Sequence, residues 1–259
     1  MEKNSRLYMR VTNPTRKDYE NRKEYFWLVQ SLDYLSNKFN IVQTRIALMA
    51  VLEKKEEGIL TAKKIKEFIQ FLEGFHFAYN AMLAKRSNVL DSRYATFARR
   101  LRVCKTKEEC NRCIDDLIEK LNKLYPTFEE FKKSFLVLSY SKQDAPDNIK
   151  VKYIINKMEC FFSPDNHEVF HDNGSIEHIL PEKEGGLALN IGNLILLEYT
   201  LNIAAGEIEY EAKKTIYSKS RYKWIEGFME KHSTWSIDDI LPRAEKMADI
   251  YYHQILQRS

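Results

Sequence analysis

The residues whose types and spacing could perform chemistry lie in one stretch of the chain, between positions 175 and 218. They comprise an acid beside an imidazole, two side-chain amides and a pair of lysines. In chain order they are Glu177, His178, Asn193, Asn202, Lys213 and Lys214. An acid, a base, amide oxygens and a cationic side chain are the groups needed to hydrolyse a phosphodiester around one metal ion.

Phosphodiester hydrolysis assigns a task to each type of side chain. The attacking water must lose a proton, and neutral imidazole is the usual base near neutral pH, so His178 is the candidate base. A cation must bind the scissile phosphate and stabilise the leaving oxygen. Mg2+ takes hard oxygen ligands and keeps several waters, so Glu177 and Asn202 could supply its protein oxygens. The stretch therefore predicts one base and one metal site.

The order of these residues resembles the HNH nuclease motif, also called the His-Me finger or ββα-metal motif. The resemblance is carried by Glu177–Pro181, Gly192–Leu197, Leu201-Asn202, Lys213-Lys214 and Tyr217-Ser218. It extends to the nuclease half of the modification-dependent GmrSD-type restriction enzymes, over roughly positions 153 to 252 and more weakly upstream. Trp235, Ile240 and Arg243 fit the tail of that family, and Tyr210 stands where the family often has Phe.

The resemblance implies a role for each matching residue. His178 would be the general base, and Glu177 and Asn202 would hold Mg2+ or Mn2+. Asn193 would brace the loop that carries the base and so serve catalysis. Separately from these carried-over roles, a basic residue, Lys213 or Lys214, is expected to contact the phosphate.

The elements that must position these residues follow from local patterns. Residues 175–180 and 193–197 are expected as strands, joined by a loop through two glycines. Alternate strand residues face opposite sides, so bringing Glu177 and His178 to one phosphate is expected to need a local irregularity. Asn202 is expected near the start of a helical region over roughly 207–220. Together these elements predict a ββα unit with the metal between hairpin and helix.

A basic and aromatic stretch follows the site. Its predicted nucleic-acid-binding residues are Lys213, Lys214, Lys219 and Arg221, interleaved with Tyr217, Tyr222 and Trp224. Basic side chains bind phosphates and aromatic rings pack against sugars or bases. The alternative is an amphipathic helix whose lysines face water, because the net charge of +4 is too small to indicate nucleic acid by itself.

The whole chain is predicted to be mainly α, with a small antiparallel β-hairpin in the nuclease core. We expect a helical spacer or partner-binding region at 1–150 and an HNH-like ββα-metal domain with C-terminal helices at 151–259. Within the first region, residues 1–20 are expected as a tail or arm. Polar residues 141–148 predict a linker, and the turn-rich segment 163–175 holds His167 and His171, for which a catalytic role is not favoured.

Composition limits the class of protein. Charged residues make up 30% of the 259 residues, and no apolar run reaches the length of a membrane span. The first residues are polar and lack the apolar core of a secretory signal, so a cytoplasmic protein without membrane contact is expected. Cys110 and Cys113 have the spacing of a zinc or redox pair, but buried free thiols are the favoured interpretation.

The leading hypothesis is a divalent-metal-dependent DNA endonuclease, the nuclease subunit of a bacterial restriction or anti-phage defence system. The resemblance implies a separate protein subunit that binds NTP or senses DNA modification. Two alternatives stay open. The chain could be a catalytically inactive helical interaction subunit, or an HNH ribonuclease toxin, because basic and aromatic residues do not distinguish RNA from DNA.

Overall fold

A computed structural model describes residues 2–163 and 174–258, so His167 and His171 lie outside the described residues. The chain divides into two compact units, Met1–Pro126 and Thr127–Ser259. This division comes earlier along the chain than the predicted one at 150/151. The reason is that the segment after residue 126 forms hydrogen bonds within the second unit: the amide of Tyr140 donates to Leu189 O at 2.9 Å.

The first unit is helical and its apolar faces meet in one core. Its helices are α1 (Glu2–Thr12), α2 (Phe26–Asp33), α3 (Arg45–Glu56), α4 (Ala62–His76), α5 (Asp91–Val103) and α6 (Lys107–Asn122). The stripe of α4 shows why: Ile65, Phe68, Ile69 and Leu72 recur at helical spacing and are all buried. Thr61 caps this helix by accepting a hydrogen bond from the amide of Lys64.

The expectation that residues 1–20 form a tail or an arm is wrong. Leu7 and Val11 lie one helical turn apart on α1 and are both fully buried in the core of the first unit. The Ser36 hydroxyl donates to Val11 O at 2.6 Å. Two buried apolar residues on one face anchor this short helix, whose other residues are mostly polar or charged.

The second unit combines helices with one small sheet. Its elements are α7 (Phe128–Leu136), α8 (Ile149–Phe162), β1 (Gly174–His178), β2 (Leu194–Glu198), α9 (Tyr199–Ala205), α10 (Tyr210–Tyr217), α11 (Lys223–Lys231) and α12 (Ile240–Ile250). The strands pair antiparallel, from Gly174 opposite Glu198 to His178 opposite Leu194. The predicted fold class, mainly α with a two-stranded antiparallel sheet followed by a helix, is confirmed. Of the helices in the described residues, none is long and apolar enough to cross a membrane.

The helical region after β2 starts earlier than predicted. Helix α9 follows β2 directly and contains Asn202, and Gly206 ends it with a positive φ of 47°. The helix expected over roughly 207–220 is the shorter α10. Asn202 therefore lies within the first helix after the sheet rather than before the second.

Gly192 is required by a close approach of α12. A Cβ atom built at Gly192 would lie 2.1 Å from the carbonyl oxygen of Ile240, a backbone atom at the start of that helix. Only a residue without a side chain permits this contact. The close approach fixes the position of Asn193, the next residue, relative to α12.

We expect Gly192→Ala to lower the free energy of unfolding by about 3 kcal/mol, the upper range for overpacking, because a backbone carbonyl cannot move aside as a flexible side chain can. The matched control is Gly227→Ala in α11, where an added Cβ meets no atom within 4 Å. That variant should be neutral or more stable by about 0.5–1 kcal/mol. Urea unfolding measures both, and equal midpoints would show that α12 can move away without cost.

Candidate functional site

His178 is the last residue of β1, and its ring is held in one orientation by Tyr140. Its Nε2 lies 3.0 Å from Tyr140 O, and the two rings stack with centroids 5.9 Å apart. A carbonyl oxygen can only accept, so Nε2 carries the proton and donates. Nδ1 is then an unprotonated acceptor, and it is buried with no hydrogen-bond partner among the described residues. The geometry presents a neutral imidazole with one free lone pair.

The surroundings of His178 keep it neutral. Burial is the largest influence and lowers its pKa below 6.5, and the charges of Lys142 and Lys213 act in the same direction. The hydrogen bond to Tyr140 O and the carboxylate of Glu182 oppose the shift. Glu182 Oε2 lies 3.7 Å from Nδ1, close enough to stabilise a positive charge if Nδ1 takes a proton.

Asn193 uses every hydrogen-bonding position of its side chain to hold the loop after His178. Its Oδ1 accepts from Leu180 N at 2.9 Å and from Trp235 Nε1 at 3.0 Å. Its Nδ2 donates to Leu180 O at 2.9 Å and to Ala188 O at 2.7 Å. The backbone of Asn193 also accepts from Ile179 N at 2.9 Å. The first residues after His178 are thereby tied to the start of β2.

Arg243 fixes the backbone on both sides of Asn193. Its guanidinium is buried and donates to Gly192 O at 2.6 Å and to Leu194 O at 2.9 Å. Burial lowers its pKa to about 9. Its cation lies within 6 Å of three aromatic ring centroids, a favourable arrangement. The three rings belong to Trp224, Phe228 and Trp235.

Glu177 is buried in an ion pair that joins β1 to α10. Its Oε1 accepts from Lys213 Nζ at 2.7 Å and from the Tyr217 hydroxyl at 2.9 Å. Lys213 Nζ also donates to His178 O at 2.5 Å, and the lysine is fully buried. Burial raises the pKa of Glu177, and Lys213 opposes the rise. In this structure the ammonium of Lys213 faces the protein interior. Its predicted contact with a phosphate stays a prediction.

Asn202 presents its oxygen to a lysine. Its Nδ2 donates to Ile176 O at 2.8 Å, which leaves Oδ1 to accept from Lys142 Nζ at 2.9 Å. The amide is 4% exposed, whereas Lys142 is an exposed residue. The carbonyl of Ile176 can accept only from the NH2 group of Asn202. This bond to β1 therefore leaves the oxygen end of the amide facing the Lys142 ammonium.

Lys142 and Tyr140 are site residues that sequence reasoning missed. They flank the start of the predicted linker 141–148. This segment is held in place by contacts within the second unit and is not a flexible linker. Ser139 pairs as a β-bridge with Asn190, and Lys142 N donates to Glu182 Oε1 at 2.8 Å. No local signal marks these residues, since all their site contacts are to residues far along the chain. Glu182, directly after the Ile-Leu-Pro run, is the one addition that inspection of the motif could have supplied.

Two lysine ammonium groups contact the predicted metal ligands: Lys142 is bonded to Asn202 and Lys213 to Glu177. The charge of Lys142 lowers the pKa of both Glu177 and His178. The register of β1 is regular through His178, so the expected strand irregularity is absent. Lys213 also links Glu177 to its neighbour, because its ammonium donates to the carbonyl oxygen of His178 as well.

The donor set fits a hard metal ion better than a soft one. Within residues 2–163 and 174–258, no group of three His, Cys, Asp or Glu side chains could hold a metal. Mg2+ needs only one or two carboxylates and completes its shell with water. The oriented oxygen of Asn202 accepts from the Lys142 ammonium, so the amide presents an oxygen, a hard ligand, to a cation.

The other predicted basic residues lie on the surface. Lys214 pairs with Glu211 at 2.8 Å, and Arg221 lies 3.6 Å from Glu198. Lys219 is exposed. Ion pairs of this kind are weak and can be exchanged for a phosphate. Nucleic-acid binding by these residues stays a prediction.

Comparison with known families gives a match to most of the second unit. Residues 125–250 match the family model described as GmrSD restriction endonucleases, C-terminal domain. This part of the chain is therefore similar to that domain, and the resemblance found in the sequence is confirmed. The match begins next to the boundary between the two units and ends in α12. Among curated proteins, none matches the chain.

We expect Asn193→Asp to lower the free energy of unfolding by about 3 kcal/mol, because a carboxylate would face the carbonyls of Leu180 and Ala188 without donors. The matched control is Asn148→Asp, which keeps its cap on Val151 N and loses one exposed bond to Ser139 O. Urea unfolding of the second unit gives both values. Equal stabilities for the two variants would contradict the assigned role of Asn193 as the brace of this loop.

Proposed function

We propose that this chain, through the region at residues 125–250 that is similar to the GmrSD C-terminal domain, is a divalent-metal-dependent DNA endonuclease. It would act as the nuclease subunit of a restriction or anti-phage defence system. The observation that carries the proposal is the buried His178, whose Nε2 donates to Tyr140 O and whose Nδ1 has no hydrogen-bond partner among the described residues. A structural histidine would have both ring nitrogens paired.

The residues of the site provide the steps of hydrolysis. His178 Nδ1 takes a proton from water as the water oxygen forms its bond to phosphorus and the bond to the leaving oxygen breaks. Tyr140 O keeps the proton on Nε2, so that the lone pair stays on Nδ1. The carboxylate of Glu182 stabilises the imidazolium that forms.

The remaining residues prepare the site for a metal and a phosphate. Glu177 and Asn202 would hold Mg2+ or Mn2+, which supplies positive charge to the phosphate and to the leaving oxygen. Lys213 favours the ionised form of the buried Glu177, because it opposes the rise in the pKa that burial causes, and it holds the carboxylate in place. Asn193 keeps the loop after the base rigid, as a preorganised site requires.

Partner and substrate are proposed from the family match alone. A separate subunit that binds NTP or senses DNA modification would deliver the nuclease to its target. Copurification of such a subunit would support this arrangement, and efficient autonomous cutting of plain DNA would contradict a required partner. Parallel digestion of plasmid DNA and tRNA decides between the endonuclease and a ribonuclease toxin.

We expect His178→Ala to reduce plasmid nicking in Mg2+ or Mn2+ by about a hundred- to ten-thousand-fold, the usual contribution of a general base. EDTA should abolish the wild-type activity. The matched control is His253→Ala, since the Nδ1 of His253 is already engaged by Arg258 O near the C-terminus. Full activity of a folded His178→Ala variant would reject the base, and no metal-stimulated nicking by the wild type would favour the inactive interaction subunit.

The pH dependence of nicking should report the neutral base. His178 works only when unprotonated, so the rate should fall as pH drops through its pKa, and that midpoint should lie below 6.5. Glu182→Gln removes a charge that raises this pKa and should move the midpoint lower still. Rates of single-turnover nicking against pH measure both. A midpoint above 6.5, or a shift to higher pH in the variant, would contradict the assignment.

A further inference from the structure

We propose that Lys142 is a built-in competitor for the metal: its ammonium occupies the cation position on Asn202, and a divalent ion binds only after the ammonium leaves. The inference rests on the function proposed above and adds a residue that controls metal loading. Lys142 belongs to the segment that sequence analysis took for a linker, and the proposed hydrolysis gives it no step.

The orientation of Asn202 makes the competition direct. Its Nδ2 is committed to Ile176 O at 2.8 Å, so Oδ1 is the atom that the amide offers to the site. That oxygen accepts from Lys142 Nζ at 2.9 Å. A dication and an ammonium ion on the same oxygen repel each other strongly in a partly buried setting. Metal and Lys142 therefore exclude each other at Asn202.

The site needs a cation even without metal. Glu177 is buried, and Glu182 is nearly so, with its side chain 14% exposed. Lys213 neutralises the first of these carboxylates from the α10 side. Lys142 adds a second positive charge at Asn202, and this charge also lowers the pKa of Glu177. Buried carboxylates are unfavourable without such partners, which explains why a lysine lies here when the ion is absent.

Lys142 can leave without disturbing the fold. Its backbone is held by the bond from its amide to Glu182 Oε1 at 2.8 Å, whereas its side chain is a flexible stem on a residue that is exposed as a whole. The contact to be broken is one charge-assisted, partly buried hydrogen bond from the ammonium to Asn202 Oδ1. Such contacts are modest, so the competition should weaken metal binding by about three- to tenfold rather than prevent it.

The test is titration calorimetry with MnCl2 in the absence of DNA. We compare the wild type with Lys142→Met, which keeps the length of the stem and removes the ammonium. The matched control is Lys246→Met, an exposed lysine of α12 that changes the net charge equally. Lys142→Met should bind Mn2+ about three- to tenfold more tightly than both other proteins. Adding Asn202→Ala to Lys142→Met should remove the gain.

Each result decides something. An Mn2+ affinity of Lys142→Met equal to or weaker than that of a wild type with measurable binding would overturn the competition and leave the metal site intact. An equal gain in Lys246→Met would assign the effect to net charge and also overturn it. If none of the proteins binds Mn2+, both the competition and the proposed metal-dependent function fail. Thermal melting checks folding, and Lys142→Gln replaces Lys142→Met if that variant melts early.

Discussion

The fold of the second unit depends on hydrogen bonds to the backbone N–H and C=O groups at one turn, where the chain leaves β1 after His178. Asn193 meets this requirement with four side-chain hydrogen bonds, two of them to the backbone of Leu180. A buried polar group without a partner costs more than a hydrogen bond gains, so this loop has little freedom to adopt another shape. That restriction fixes the backbone directly after His178, while Tyr140 orients the ring itself.

Much of the C-terminal part of the chain supports this one amide. Trp235 donates its indole N–H to Asn193, and Arg243 binds the carbonyls on either side of it. The aromatic rings around Arg243 compensate part of the cost of burying a guanidinium without a carboxylate partner. Gly192 lets α12 approach closely enough for these bonds to form. The tail of the motif thus supports the loop that follows His178.

Three cationic side chains of the second unit differ in burial and in partner: Lys213, Arg243 and Lys142. Lys213 and Arg243 are buried and hold fixed partners, a carboxylate in one case and backbone carbonyls in the other. Lys142 is exposed and holds a single amide oxygen. Burial makes the first two permanent parts of the fold, because breaking a buried pair leaves an uncompensated charge. Because Lys142 is exposed, its ammonium is replaceable. It is the cation that we propose a metal displaces, whereas Lys213 and Arg243 are structural.

The sequence by itself determined the ββα order, the helical stripes and the caps, because these depend on residues within a few positions of each other. It also indicated Glu177, His178, Asn193 and Asn202, since their types and order carry the chemistry. It misplaced residues 1–20, where two apolar positions among many charges gave too weak a periodic signal. It also took residues 141–148 for a linker, because polar composition looks the same in a spacer and in a site.

Only the tertiary structure decided how these residues meet. The tautomer of His178 is set by Tyr140 O, and the orientation of Asn202 is set by Ile176 O, both backbone atoms whose positions no side-chain pattern encodes. The structure also showed that the buried Lys213 is the partner of Glu177, a contact that the spacing of the two residues does not reveal. Side-chain types specify which chemistry is possible. Which oxygen faces which nitrogen depends on the packing of segments far apart in the chain.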